Sequence, residues 1–112
     1  MTTTIVNDYF FKPDGDLKEG KAAAAELVEA FKNDFPEVQL SLWLQSKENP
    51  LHHYHITVFD NAEVVERVKK SKAIEEFVGR LFPLIDHSTY VSPLCDVWLS
   101  DGHGIKAVAY KE

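Results

Sequence analysis

Cysteine is almost missing from this chain. Cys95 stands alone, so no internal disulfide can form and a reducing compartment is the default expectation. Basic residues are also few, 12 Lys and Arg against 18 Asp and Glu, for a net charge of −6. That balance argues against nucleic acid and against anionic membrane as partners. No apolar run approaches the ~20 residues that cross a bilayer. Met1 to Phe11 has no basic stretch leading into an apolar one, so no secretory signal is read there and a cytoplasmic protein is expected. Five glycines and five prolines exclude a collagen-like or linker-like chain. Gly15, Gly20, Gly79, Gly102 and Gly104 match no phosphate-cradling fingerprint. No nucleotide, flavin or nicotinamide cofactor is expected.

What remains is the composition of a small globular domain: 112 residues, 45% hydrophobic, 27% charged and 12% aromatic. A chain of this length buries roughly two-thirds of its unfolded surface. One domain over residues 1–112 is expected, with its core at about 4–99 and a short strand or tail at about 104–112.

Local patterning divides that core. Thr4 to Lys12 is rich in β-branched and aromatic residues and ends at the turn Pro13-Asp14-Gly15, the signature of a strand. Asp16 with Glu19 fits a capping box. Ala24, Leu27, Val28, Phe31 and Phe35 then recur at helical spacing until Pro36, with Lys21, Glu26, Glu29 and Lys32 expected outside. From Val38 to Gln45 the period becomes two, and Leu51 to Phe59 continues it after the turn Lys47 to Pro50. These two segments predict a hairpin. Asp60 and Glu63 suggest a second capping box, and Ser71 a break or second cap within a helical stripe that runs to Pro83. His87 to Leu99 reads as a strand interrupted near Pro93, with Cys95 taken as a small buried residue. After the turn Asp101 to Gly104, Ile105 to Tyr110 could form a short terminal strand.

The order β-α-β-β-α-β predicts an α+β, ferredoxin-like fold: a four-stranded antiparallel sheet with both helices on one face. The aliphatic strand faces, Leu40, Leu42 and Leu44 with Ile56 and Val58, are expected to pack on the helices. The opposite face would then carry Asn7, Tyr9, Phe11, Trp43, Gln45, His53 and His55, with Trp98 and Asp96. Aromatic surface of that extent is rarely left exposed on a monomer. A symmetric homodimer, sheet against sheet around a polar-lined cavity, is the expectation.

The order of elements resembles the dimeric α/β-barrel superfamily. The stretch Phe59 to Phe77, FDNAEVVERVKKSKAIEEF, is similar to its antibiotic biosynthesis monooxygenase branch. There an aromatic-Asp pair ends a strand, a helix follows, and a Ser opens the next helix before an aromatic residue. The resemblance covers Ile5 to about Leu99. Members often carry a His three residues before that Ser, where this chain has Val68. Haem-degrading members use an Asn, a Trp and a His. Asn7 matches the Asn, but the other two positions fall on Val68 and Val78, which cannot ligate iron. Haem degradation is not expected.

His53 and His55 carry the sharpest chemistry. Spaced i, i+2 on a strand they point the same way, and either could act as a general base on a phenolic or enolic hydroxyl. Two hydrogen-bonded histidines at a dimer interface explain the same pattern. A His-X-His pair is half of a metal site, but Asp96 and His87 have no tight spacing to complete it, so no metal is expected. Trp43, Trp98 and Tyr9 could stack on a planar ligand or pack across the interface. Asn7 and Gln45 could bond a phenol or quinone oxygen, or neighbouring backbone. The resemblance implies a cofactor-independent monooxygenase of a small planar aromatic, quinol or polyketide type, in a pocket between sheet and helices at a dimer interface. In that chemistry an electron-rich anion reacts with dioxygen directly. The alternative is a non-catalytic dimeric binding or accessory protein of the same fold.

Overall fold

The computed structural model describes residues 2–109. Thr3–Phe11 forms β1 and Leu17–Asp34 forms α1. The expected cap is present: Asp16 Oδ1 accepts from the Glu19 backbone N–H at 3.1 Å. At the other end Phe35 is the C-cap, and Pro36 cannot donate to continue the ladder. Val38–Gln45 and His52–Phe59 are β2 and β3, paired as the predicted antiparallel hairpin. Ser46 Oγ closes their turn by accepting from the backbone N–H groups of Glu48 and Asn49, each at 3.2 Å.

Ala62–Lys69 is α2 and Lys72–Leu81 is α3. The cap of α2 is Asn61 and not Asp60: Asn61 Oδ1 accepts from the Val64 N–H at 3.1 Å. Asp60 is still tied to the strand, because its own N–H reaches the Glu37 carbonyl at 2.9 Å. Only the next residue is released to cap the helix. Ser71 both ends α2 and opens α3, donating to the Val68 carbonyl at 2.6 Å and accepting from the Ile74 N–H at 3.3 Å. A 3-10 turn at Phe82–Leu84, with Pro83 in it, leads into β4, Ile85–Val91. β4 therefore starts at Ile85 and not His87. After a break at Ser92-Pro93 the chain resumes as β5, Leu94–Asp96.

The sheet order is β2-β3-β1-β4, antiparallel throughout, which is the ferredoxin-like plan. β5 adds a fifth strand on the same edge of β1, opposite Thr3 to Ile5, while β4 lies opposite Asp8 to Phe11. Proline cannot donate to a ladder, but the Pro93 carbonyl still accepts from the Val6 N–H at 3.1 Å and bridges the gap. Cys95 is exposed on this edge, not buried as expected. Beyond β5 the described residues show one isolated bridge, Ser100 to Val108. The terminal strand expected over 105–110 is reduced to that bridge, and Tyr110 lies outside the described residues. No described helix is long and apolar enough to cross a membrane.

The helices take the opposite face of the sheet from the one the sequence suggested. Tyr9, Phe11 and Phe59 join Ala23, Leu27 and Phe31 of α1, and Val64, Val68, Phe77 and Leu81 of α2 and α3, in one buried cluster. The homodimer expected on the Trp43/His55 side therefore has no such face available. The aliphatic face is turned outward instead, leaving Leu42 and Leu44 at 42% and 41% exposure. Both faces carry apolar groups, so alternation could not rank them. Burial of large aromatic rings with bonded polar tips decides it. Arg80 of α3 locks the helical layer to α1, bonding Glu19 at 2.6 Å and pairing with Glu26.

Gly20 sets how closely α1 approaches the sheet. A Cβ added there would meet the Phe11 ring at 2.5 Å, and Phe11 is itself buried. Alanine gains about 1 kcal/mol of helix propensity, whereas overpacking a filled site costs about 1–3 kcal/mol. Gly20→Ala is expected to lower stability in urea denaturation, and adding Phe11→Leu to recover part of the loss.

Candidate active site

Strand register builds the site as two rows across the sheet. Trp43 of β2 faces His55 of β3, and His55 faces Asn7 of β1. One step along, Gln45 faces His53, and His53 faces Tyr9. Alternation puts all six on the helix side of the sheet.

The first row is closed. His55 is 4% exposed. Its Nδ1 lies 3.2 Å from Asn7 Nδ2, and its Nε2 lies 3.1 Å from the Tyr9 hydroxyl. Tyr90 of β4 donates to Asn7 Oδ1 at 2.9 Å. The Trp43 indole stacks on the imidazole with centroids 3.9 Å apart, and its N–H donates to Ser41 Oγ at 2.8 Å. Phe77 of α3 meets both rings edge-on. Beside this row is a cavity of about 160 Å³, lined by Asn7, His55, Thr57, Lys69, Tyr90 and Ser92 among mostly apolar side chains.

The second row opens onto a cleft. It has a volume of about 580 Å³ and lies between the sheet and α1, within the range typical of small-molecule sites. Tyr9, Phe11, Trp43, Gln45 and His53 form its sheet wall, with Gly20, Ala24, Ala25 and Val28 opposite. The gap has a sequence cause: this stretch of α1 presents small side chains to large rings. Lys21 and Glu29 also line it.

The two histidines differ in electrostatics. Burial, with a smaller contribution from His53, drives the His55 pKa down to about 3, so this ring is neutral across the physiological range. His53 is half-buried and its pKa is lowered too, mainly by burial and then by Lys21 and His52, against the opposing pull of the Pro50 carbonyl. His53 Nε2 donates to that carbonyl at 3.0 Å, which leaves Nδ1 as the acceptor. Burial raises the Tyr9 pKa well above the ordinary phenol value, and Tyr90 adds to it.

The structure thus brings together Asn7, Tyr9, Trp43, Gln45, His53 and His55. It does not bring Trp98 to them. That residue follows β5, is 65% exposed, and is outside the lining of both cavities. Gln45 is drawn partly away, since its Nε2 donates to the Pro50 carbonyl at 2.9 Å. Among the described residues no group of three or more His, Cys, Asp or Glu side chains is placed to hold a metal ion. Sequence reasoning passed over Tyr90, whose strand pattern is broken by Pro93. It also placed Lys21 and Glu29 on the solvent side of α1, because a helical wheel does not reveal a cleft along the helix flank.

No protein-family model matches the sequence, and no curated protein matches it. Solved structures do match in fold. A provisionally assigned monooxygenase from Lactobacillus acidophilus superposes with a TM-score of 0.72 at 14% identity, over 83% of this chain and 42% of that one. The chain thus spans less than half of that protein's length. SnoaB, a cofactor-independent oxygenase from Streptomyces nogalater, gives 0.75 at 16% identity over 89% and 96%. A provisionally assigned antibiotic biosynthesis monooxygenase from Caulobacter crescentus gives 0.78 at 11% identity over 86% and 89%. The chain has the α+β fold of these antibiotic biosynthesis monooxygenase-like proteins, as its element order implied.

Proposed function

We propose that the chain is a cofactor-independent monooxygenase-like enzyme acting on a small planar aromatic hydroxyl compound bound in the cleft between α1 and the sheet. The observation that carries this is the pairing of a 580 Å³ cleft with a half-buried His53 whose Nδ1 is left as an acceptor. The fold shared with a cofactor-independent oxygenase supports it. The substrate ring lies along Tyr9, Phe11 and Trp43. His53 removes the hydroxyl proton, and Lys21 stabilises the resulting anion. That anion is electron-rich enough to react with dioxygen directly, so the protein needs to bind, deprotonate and exclude water. His55 is not the base. Both its nitrogens are bonded and its proton affinity is too low for efficient transfer near neutral pH.

The functional unit in this proposal is a homodimer formed through the outward sheet face. Leu42 and Leu44 are exposed there beside Phe10, Tyr54 and Ile56 of the neighbouring strands. This apolar surface, interrupted by the Asp8–His52 pair, is the kind that sheet-to-sheet association buries. The exposed Cys95 thiol suits a reducing compartment.

Three measurements check these statements. Oxygen uptake with a panel of quinols should fall at least 10²-fold in His53→Gln, the usual scale for losing a general base. Wild-type activity should persist below pH 6.5 and fade only as His53 gains its proton at the lowered pKa. Binding without turnover by the wild type would favour the accessory-protein alternative. Secondly, His55 stabilises the fold in its neutral form, so its contribution is complete above pH 6.5 and is lost as pH falls toward 3. The stability gap between wild type and His55→Gln should therefore shrink by on the order of 2 kcal/mol between pH 7 and pH 5 in urea denaturation. Thirdly, light scattering at micromolar concentration should give the mass of two chains, and Leu42→Glu with Leu44→Lys the mass of one. A single-chain mass for the wild type would remove the dimer.

A further inference from the structure

The closed row behind the cleft is a chain of four polar groups with a direction. Tyr90 donates its hydroxyl hydrogen to Asn7 Oδ1 at 2.9 Å. That contact orients the Asn7 amide, so its Nδ2 faces His55 Nδ1 at 3.2 Å. An amide nitrogen only donates, hence Nδ1 must accept, and the neutral imidazole carries its hydrogen on Nε2. Nε2 then donates to the Tyr9 oxygen at 3.1 Å. The Tyr9 hydroxyl hydrogen cannot point back along the same contact. No other acceptor for it occurs among the described residues, and Tyr9 is a wall of the cleft.

We propose that Tyr90 is a positioning residue that acts through Asn7 and His55 to turn the Tyr9 hydroxyl hydrogen toward the cleft, making Tyr9 its hydrogen-bond donor to a ligand oxygen. This rests on the cleft being the ligand site. It goes further by giving the three residues behind the wall one task. The opposite direction is also geometrically complete. A flipped Asn7 would accept from His55 Nδ1–H, and His55 Nε2 would accept the Tyr9 hydrogen. The cleft would then offer no donor on Tyr9. Neutral His55 allows either direction, so the Tyr90 hydroxyl at the far end selects between them. In the structure the Asn7 oxygen faces that hydroxyl at 2.9 Å, so Tyr90 donates, and its ring is held in place 6.0 Å from Tyr9 and 5.6 Å from Phe82. The effect crosses three strands, because Asn7 pairs with His55 between β1 and β3, and Tyr90 lies on β4.

The direction is read by ¹⁵N NMR of the histidine-labelled protein, where the protonated ring nitrogen of His55 is identified from its two-bond couplings. The wild type should carry the hydrogen on Nε2, and Tyr90→Phe should populate the Nδ1–H form. The ligand arm uses 2,3-dimethyl-1,4-naphthoquinone, an acceptor-only probe whose blocked ring positions resist the Cys95 thiol. Its Kd should rise roughly two- to tenfold in Tyr9→Phe, the scale of one hydrogen bond. Tyr90→Phe should raise it too, and the double variant should be no worse than Tyr9→Phe alone. An Nδ1–H tautomer in the wild type overturns the proposal without needing any variant to fold. An unchanged tautomer in Tyr90→Phe, or additive losses in the double variant, overturns it as well. If the probe fails to bind the wild type, the ligand reading of the cleft fails. The tautomer and its response to Tyr90→Phe still decide the relay.

Discussion

A neutral imidazole buried in the middle of the sheet is the constraint around which this molecule is arranged. His55 has almost no contact with solvent, and an unbonded ring nitrogen there would cost about 1–3 kcal/mol. Both nitrogens must therefore find partners on the helix side. Register supplies them: Asn7 lies directly across on β1, and Tyr9 is two residues further on the same face. Trp43 across the other edge covers the ring by stacking. Once these contacts form, the face that carries them has to be covered, and α1 with α3 covers it. The aliphatic face is left outward, and its own polar groups, Asp8 and His52, are satisfied there by pairing with each other at 2.6 Å.

The same arrangement divides the labour of the two histidines. They are two residues apart on one strand and point the same way, yet they meet different chemistry. His55 lies under Phe77 and stays neutral. His53 lies past the end of that cover, where Gly20, Ala24, Ala25 and Val28 leave the helix too thin to fill the space. Its ring is pinned at Nε2 by the Pro50 carbonyl in the β2–β3 turn. The difference in cover, an aromatic ring of α3 over one histidine and small residues of α1 beside the other, separates a structural imidazole from an accessible one.

Much of the architecture was legible because it is written in local periodicity. The Asp16 cap, the Pro36 stop, the Val38–Gln45 strand and the break at Ser71 all appear where spacing put them. Errors arose where two local signals competed. Asp60 and Asn61 are both good caps, and a strand hydrogen bond to Glu37 chose between them. Pro93 interrupted the last strand, so Tyr90 lost its place in the pattern and its bond to Asn7 went unseen. The six polar and aromatic residues on one face were identified as a group, since alternation alone assigns them to the same side. Trp98 was added on the expectation that the strand, though interrupted near Pro93, continued to Leu99, whereas β5 ends at Asp96.

The sequence by itself determined the order of elements, the pairing of the hairpin and the membership of each strand face, because each depends on neighbours within a few positions along the chain. It did not determine which face the helices would take. That choice compares two apolar surfaces by their packing and by the satisfaction of buried polar atoms, and both quantities exist only once strands and helices meet. A lone cysteine and few basic residues bound what the protein can be. The choice of sheet face by the helices, which laid the small residues of α1 against Tyr9, Phe11 and His53, decided where its cleft lies.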